Sequence, residues 1–238
     1  MMKSILYTLK ETLLEIFLPP ICVICESKEG KMLCETCFGK IKFVDELQKC
    51  PKCSLVFYDR VPQKCPDCER LSPKFSKLIS IFVYDEYGEK LIRKIKFENK
   101  LKVVEEFSNI IRSKLEKIEF DIVVPIPSYT RKWIKKGYIP SLKIARVISE
   151  NLKKPIVPLI RKSKDIPSQL ELSSEERLKN PKNAFEVTVR KINYRRILLV
   201  DDVATTTATL CECTRILLEK GADEVFCFSL ARTPLKTF

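Results

Sequence analysis

The chain of 238 residues is 45% apolar and 32% charged, which is enough for a sizeable folded domain with a small module and excludes global disorder. Lys and Arg (44) outnumber Asp and Glu (31), and the formal charge of +13 favours either an anionic partner, such as nucleic acid, a nucleotide or a membrane surface, or an ordinary solvated surface. The absence of histidine excludes imidazole-based hydrolase chemistry, and the glycine motifs of Rossmann and P-loop sites do not occur.

The first predicted element is an amphipathic helix within residues 1–19. Its apolar side chains fall on one helical face: Ile5, Leu6, Leu9, Leu13, Ile16 and Phe17. Charged residues inside the stretch argue against a secretory signal, and no segment reaches the roughly 18 apolar residues of a membrane span. We therefore expect a cytoplasmic protein without a membrane span, in which this helix docks on the protein body rather than on a membrane.

Eight cysteines form four C-x-x-C pairs in the next predicted module, residues 20–71. The pairs are Cys22/Cys25, Cys34/Cys37, Cys50/Cys53 and Cys65/Cys68. Each pair directs two thiolates to one centre, so four pairs predict two structural zinc sites with four-sulfur shells. Disulfides are the less favoured alternative, because closely spaced pairs make poor structural bridges. The spacing leaves open which pairs share a metal.

Metal binding would supply the folding free energy of this module, since the module has few aliphatic residues for a core of its own. Two Zn(Cys)4 centres, each carrying −2, would lower the formal charge from +13 to about +9. A closed shell offers no catalytic position, so the module would contact nucleic acid or protein, or serve only as a folded unit. Cys227 is predicted in the core, and Cys211 and Cys213 are given no function.

Residues 72–238 alternate predicted strands with predicted helices. Strands are predicted at residues 78–84, 121–127, 155–160, 196–200 and 224–231. Helices are predicted at residues 86–100, 101–118, 141–152 and 209–220. Continuous apolar strands are typical of a parallel sheet covered on both faces, so the predicted fold class is α/β, preceded by the small cysteine module.

The acid–threonine segment, residues 201–209, directly follows the apolar run of residues 196–200. Parallel sheets bind ligands at the carboxyl ends of their strands, which is where Asp201 and Asp202 are expected. Their carboxylates would bind ribose hydroxyls or approach a sugar-bound Mg2+. Backbone amides and hydroxyls at the start of the next helix would hold a phosphate, and the hydroxyls belong to Thr205, Thr206, Thr207 and Thr209. An ordinary polar turn is the alternative.

The string ILLVDDVATTTATL resembles the phosphoribosyl-diphosphate (PRPP) motif of type I phosphoribosyltransferases, an apolar strand followed by D-D-x-x-T-T-G-x-T. With the cysteine module ahead of it, the chain resembles the ComF family, which is linked to DNA uptake in natural competence. The likeness extends through YDEYGEKLIRKIKF, DIVVPIPSYTRKWIKKGY, SQLELSSEERLKNPKNAF and LART. It implies a phosphoribosyltransferase-like fold in which Asp201 and Asp202 hold the ribose of PRPP, the threonines hold its 5′-phosphate, and Mg2+ bridges its oxygens.

Two departures from the family pattern affect the expected ligand surface. Thr207 stands where the family usually has glycine, and a β-branched residue there would narrow the phosphate site or force another loop shape. Residues 136–141 read KGYIPS where members commonly have R-G-F-N-Q, so a polar pair is lost. Both departures weaken the expectation of catalysis.

A basic stretch at residues 131–138 interleaves cations with aromatic rings. Its members are Arg131, Lys132, Trp133, Lys135, Lys136 and Tyr138. The cations, Arg131 and Lys132 among them, could face the pyrophosphate of PRPP. Equally, they could bind the phosphates of single-stranded DNA while the rings stack on bases, along a track extended by Lys94, Lys96, Lys100 and Lys102. A solvated loop around a core tryptophan is the plain structural alternative.

We favour a ComF-like protein that handles incoming single-stranded DNA during natural transformation. The main alternative is an active phosphoribosyltransferase that consumes PRPP in nucleotide salvage or synthesis, with catalysis mostly by positioning and charge neutralisation. A weaker alternative is a scaffold whose zinc module docks a DNA-translocating competence protein.

Overall fold

The computed structural model describes residues 20–59, 61–97, 101–127, 139–162 and 184–235. The predicted helix of residues 1–19 lies outside these residues, and so does the basic stretch. Among the described residues, no helix has the length and apolar character needed to cross a membrane.

The described elements begin with the cysteine module and continue into the sheet domain. The module contains α1 (Glu35–Phe38), a 3-10 turn (Val44–Glu46) and α2 (Pro66–Leu71). The sheet domain contains β1 (Leu78–Val83), α3 (Glu86–Phe97), a 3-10 helix (Leu101–Phe107), α4 (Ser108–Leu115), β2 (Ile122–Pro125), α5 (Pro140–Leu152), β3 (Ile160–Lys162), β4 (Phe185–Val187), β5 (Arg196–Ala204), α6 (Ala208–Glu219) and β6 (Glu224–Arg232).

Four strands form one parallel sheet in the order β1–β6–β5–β2. The register places Leu78 of β1 opposite Cys227 of β6, and Leu199 of β5 opposite the same residue. Helices cover both faces of this sheet, which explains why its strands are apolar without interruption. The predicted α/β parallel-sheet domain is thus confirmed.

Side chains of β5 alternate between two cores. Leu198 and Val200 enter the core that α3 and α5 cover. Ile197 and Leu199 enter the core that α6 covers, and Cys227 is fully buried there as predicted. Neighbouring residues of β5 therefore face opposite sides of the sheet, and the same holds for the neighbours Asp201 and Asp202.

The cysteine module is joined to the sheet by backbone hydrogen bonds. The amide of Leu78 donates to the carbonyl of Lys52 at 2.8 Å, and the amide of Val83 donates to the carbonyl of Lys42 at 2.9 Å. Apolar residues of the module also belong to both cores of the sheet. Ser72 ends α2 in the left-handed region with φ 42, and the domain boundary between residues 71 and 72 stays a prediction.

Two predicted elements differ from the structure. Residues 101–118, predicted as one helix, form a 3-10 helix and then α4, and the adjacent buried Val103 and Val104 are β-branched residues that disfavour a continuous α-helix. Residues 155–160 were predicted as a strand, but they make a single parallel bridge from Ile156 to Val123, because Pro155 and Pro158 lack ladder donors.

The strand in that region begins at Ile160 instead and pairs antiparallel with β4. The sequence did not predict β4, a strand of only three residues that ends at Val187.

Candidate functional site

The acid–threonine segment begins inside β5 rather than after it. This strand was predicted to end at Val200 but stays in register with β6 through Ala204, so that Asp201 lies opposite Ser229. α6 begins at Ala208, one residue before its predicted start. The acid pair therefore lies near the carboxyl end of an interior strand, the place where parallel sheets bind ligands.

Asp202 faces α3, where it forms an ion pair with Lys96. The Nζ of Lys96 lies 3.0 Å from the Oδ2 of Asp202, and the two side chains are only 30% and 10% exposed. Burial opposes the charge of Lys96, but the carboxylates of Asp202 and Asp201 outweigh burial and raise the pKa of Lys96.

Lys96 was grouped with the predicted DNA track, and the structure gives it a different contact. A signal for this position existed in the sequence: Lys96 lies one helical turn after Ile92, which is buried, so the two side chains share a face of α3.

Asp201 faces the other side of the sheet, towards α6 and β3. Burial, followed by the like charge of Asp202, raises the pKa of Asp201 from 3.8 to about 7. Burial lowers the pKa of Lys162 on β3, although the Asp201 carboxylate opposes this shift. Burial also raises the pKa of the Cys213 thiol, with a further contribution from Asp201. The two adjacent acids thus have different environments, which the sequence did not indicate.

Thr207 adopts a backbone conformation that favours glycine. Its φ of 58 and ψ of 1 lie in the left-handed region, immediately before α6. The side chain is 3% exposed, and its Oγ1 has no hydrogen-bond partner among the described residues. A β-branched residue resists this conformation, so the departure from the family pattern has a structural cost at this position.

The remaining threonines lie at the surface of the same edge. Thr205 is exposed, and Thr206 and Thr209 are half-buried. β2 runs parallel to β5 and ends at Pro125, so the chain leaves the sheet at this edge shortly before the basic stretch. The side chains of that stretch lie outside the described residues: Arg131, Lys132, Trp133, Lys135, Lys136 and Tyr138. Contact between the basic stretch and the acid pair stays a prediction.

The cysteines form two clusters, each built from two C-x-x-C pairs that are neighbours in the sequence. The first cluster contains Cys22, Cys25, Cys34 and Cys37, and the second cluster contains Cys50, Cys53, Cys65 and Cys68. Within each cluster all four sulfur atoms lie within 4.8 Å of one another. This arrangement decides the pairing that spacing alone left open.

The sulfur separations fit a shared zinc ion. The Sγ atoms of Cys53 and Cys65 are 3.4 Å apart, and those of Cys25 and Cys34 are 3.6 Å apart. A tetrahedral four-sulfur shell has edges of about 3.8 Å, whereas a disulfide bond is about 2.05 Å long. Burial raises the pKa of the Cys53 thiol to about 12, so a metal ion would have to displace its proton. Four thiolates around one zinc ion would close its shell, as in structural zinc sites.

The larger domain is therefore an α/β domain with a four-stranded parallel sheet, and it follows a module with two four-cysteine clusters. Residues 13–70 match the family described as "Double zinc ribbon domain". Among solved structures, a purine phosphoribosyltransferase from Pyrococcus horikoshii aligns with 57% of this chain and 90% of its own, at 16% identity and a TM-score of 0.35.

Relatives of this chain match it over most of their length. "Competence protein F" of Haemophilus influenzae is 29% identical, over 89% of this chain and 96% of the relative. "Competence protein ComFC" of Bacillus subtilis is 28% identical, over 90% and 95%. "DNA utilization protein YhgH" of Escherichia coli is 26% identical, over 77% and 84%. The chain is thus similar to these competence and DNA-utilization proteins over most of its length.

Proposed function

We propose that this protein is a member of the ComF family, that it handles incoming single-stranded DNA in natural transformation, and that its acid–threonine segment binds PRPP with Mg2+. The DNA-handling role is supported chiefly by one observation: two competence proteins align with about nine-tenths of the chain. We place the protein in the cytoplasm, because thiolate ligands for two zinc ions persist where cysteines stay reduced.

The site offers suitable groups for a sugar phosphate. Asp202 and Asp201 lie at the end of β5 and can accept hydrogen bonds from ribose hydroxyls, and Asp202 forms an ion pair with Lys96. The amides that begin α6 point towards the carboxyl edge of the sheet, where the helix dipole favours a phosphate. Mg2+ would neutralise the pyrophosphate oxygens beside these carboxylates.

Single-stranded DNA would be bound by charge and stacking rather than by sequence. The chain stays basic at about +9 after two zinc centres are counted against its formal charge of +13. The basic stretch combines cations for phosphates with two aromatic rings for bases. We further propose that the zinc module docks a DNA-translocating competence protein.

Calorimetric titration of the zinc-loaded protein with PRPP and Mg2+ tests the sugar-phosphate site. Wild type should bind, and the double variant Asp201→Asn with Asp202→Asn should not, because both ribose acceptors are weakened. The matched control is Asp223→Asn, an exposed acid that precedes β6 at the opposite edge of the sheet. Equal binding by the double variant, or none by wild type, would remove PRPP from the proposal.

Binding of a labelled single-stranded oligonucleotide at several salt concentrations tests the DNA role. Replacing Arg131, Lys132, Lys135 and Lys136 by alanine should weaken binding and flatten its salt dependence, by about 0.7 in slope for each phosphate that the variant no longer neutralises. A control with the same charge change replaces four exposed residues of the opposite edge, Arg190, Lys191, Arg195 and Lys220. Equally weakened binding in both variants would mean that DNA binding depends on the total positive charge of the protein and not on the basic stretch.

A second candidate function is active phosphoribosyl transfer. The buried ion pair of Lys96 and Asp202 favours it, because a preorganised charged site is what such chemistry needs. Release of pyrophosphate from PRPP with a set of bases and amines would establish this activity, provided that the double aspartate variant abolishes it. No release by a protein that binds PRPP would leave the site as a binding site.

A further inference from the structure

Arg232, in the LART motif at the end of β6, is completely buried. A guanidinium group stays charged in proteins and carries five N–H donors, so its burial requires partners for these donors. The structure supplies partners from two directions. One set belongs to the second cysteine cluster, and the other belongs to the acid–threonine segment.

The partners on the first side lie among the ligands of the second cluster. The Nε of Arg232 donates to the carbonyl oxygen of Cys53 at 3.0 Å. One terminal nitrogen donates to Oδ2 of Asp67 at 2.5 Å, and Asp67 is only 13% exposed. Asp67 lies between the ligands Cys65 and Cys68, so the ion pair joins β6 directly to the second zinc site.

The partners on the second side are backbone carbonyls where β5 ends. The other terminal nitrogen of Arg232 donates to the carbonyl of Ala204 at 3.1 Å and to that of Thr205 at 2.5 Å. The amide of Thr233 donates to the Ala204 carbonyl as well, at 3.1 Å. These carbonyls lie between the acid pair and Thr207, so a movement of Arg232 would move the turn that leads into α6.

The first cluster offers a natural comparison. Glu35 lies between Cys34 and Cys37 as Asp67 lies between Cys65 and Cys68. Its carboxylate is 86% exposed and pairs with Lys31 of the same module at 2.8 Å. Both acids lie inside the second C-x-x-C pair of their cluster, Glu35 directly after Cys34 and Asp67 directly before Cys68, but the Asp67 carboxylate reaches Arg232.

We propose that Arg232 is a positioning residue that couples the second zinc site to the acid–threonine segment. Zinc in the second cluster fixes the turn that carries Asp67. Asp67 and the Cys53 carbonyl then hold Arg232, which holds the end of β5 and the residues that follow it. Loss of zinc from the second cluster loosens residues 204–208, whereas changes in the first cluster leave them ordered. The resulting control of sugar-phosphate affinity rests on the proposed PRPP site.

Hydrogen–deuterium exchange of the amides of residues 204–208 tests this coupling without any ligand. Asp67→Asn should speed their exchange about 10-fold, because the buried guanidinium loses its charged partner. Glu35→Gln, the matched change beside the first cluster, should leave exchange as in wild type. Zinc is counted in both variants by atomic emission, so loss of metal and loss of the ion pair are distinguished.

Arg232→Lys is the second variant, since it keeps the charge and every zinc ligand but loses the planar donor fork. It should bind zinc as wild type does and still exchange faster at residues 204–208. If this variant does not fold, Asp67→Asn alone decides. Wild-type exchange in Asp67→Asn, or equal acceleration in Glu35→Gln, would overturn the coupling.

The same variants are then titrated with PRPP and Mg2+. Affinity about 10-fold lower in Asp67→Asn, and unchanged in Glu35→Gln, is expected. If wild type binds no PRPP, the proposed sugar-phosphate site fails, but the exchange measurement still decides whether Arg232 couples the second cluster to residues 204–208.

Discussion

Asp201 has the most perturbed environment of the acid pair. Its pKa of about 7 in the folded protein exceeds 3.8, its usual value, because burial and Asp202 disfavour the charged form. The folded state therefore binds the Asp201 proton more tightly than the unfolded state does. The contribution of the protonated Asp201 to stability is fully present below about pH 4 and is lost as the pH rises to about 7.

Replacing this acid by Asp201→Asn removes the titration. Relative to wild type, the variant should gain stability progressively from pH 4 to pH 7. The expected gain is about 2 kcal/mol, which is less than the full pKa shift of Asp201 implies, because its carboxylate is partly exposed to solvent. Urea unfolding at several pH values measures the difference.

Asp121→Asn gives the opposite control for this measurement. The pKa of Asp121 is lowered, first by hydrogen bonds from the backbone of Arg196, so that variant should lose stability relative to wild type as the pH rises. A pH-independent difference between Asp201→Asn and wild type would contradict the assigned environment of Asp201.

Thr207→Gly should stabilise the protein by about 1 kcal/mol, because it removes a left-handed β-branched residue. It also removes a hydroxyl that has no partner among the described residues. Thr206→Gly is the control, since Thr206 does not share the positive φ and its replacement only adds freedom to the unfolded chain. Urea unfolding gives the free energies, and the PRPP titration shows whether glycine also tightens ligand binding. Equal effects of the two substitutions would mean that strain at Thr207 is negligible.

Among individual residues, the sequence predicted those that belong to short local motifs. The C-x-x-C pairs and the acid–threonine string carry their chemistry within a few positions of one another. Lys96 and Arg232 were not assigned to these sites, because their partners are far away in the sequence and are brought close only by the sheet. The sequence marked Thr207 as a departure from glycine, but it predicted a narrower phosphate site or another loop shape, whereas Thr207 itself adopts the left-handed conformation.

α3 is held close to β1 by a glycine that the sequence gives no reason to single out. A Cβ on Gly88 would lie 2.0 Å from the carbonyl oxygen of Val83, which belongs to the backbone and cannot rotate away. The close approach of α3 to β1 also sets the position of Lys96, which lies two turns further along the same helix.

Gly88→Ala should therefore destabilise the protein by about 2 kcal/mol or more and move Lys96 away from Asp202. Thermal unfolding measures the loss, and weaker PRPP binding would report the displaced helix. Gly39→Ala is the control, because its Cβ would meet its nearest atom at 3.4 Å, an ordinary contact. An equally mild effect at Gly88 would show that α3 can shift without cost.

Elements with a long periodic pattern were predicted well, and short ones were not. The four strands of the main sheet and the helices α3, α5 and α6 lie where the apolar pattern placed them, except that β5 continues four residues past its predicted end. β3 and β4 have three residues each, too few for a period, and they exist only as partners of one another. For residues 155–160, Pro158 was a local signal against a strand, because proline has no backbone N–H to donate to a neighbouring strand.

Across the whole molecule, two independent zinc centres are expected to contribute to stability. Cys65→Ser should reduce the zinc content from two ions per chain to one and lower the unfolding temperature, because metal binding supplies folding free energy. Cys211→Ser should keep both ions, since Cys211 belongs to neither cluster. Atomic emission on the purified variants decides, and two ions in Cys65→Ser would contradict the second cluster as assigned.

The position of β6 inside the sheet has a consequence for synthesis on the ribosome. β6 lies between β1 and β5, and Arg232 at its end contacts the cysteine module, which is translated long before it. While the ribosome still holds residues 224–232, the edges of β1 and β5 that face each other have no partner, and the second zinc site lacks its buried cation. The nascent chain therefore exposes two apolar strand edges until β6 emerges, a state that invites aggregation and that a chaperone would have to cover.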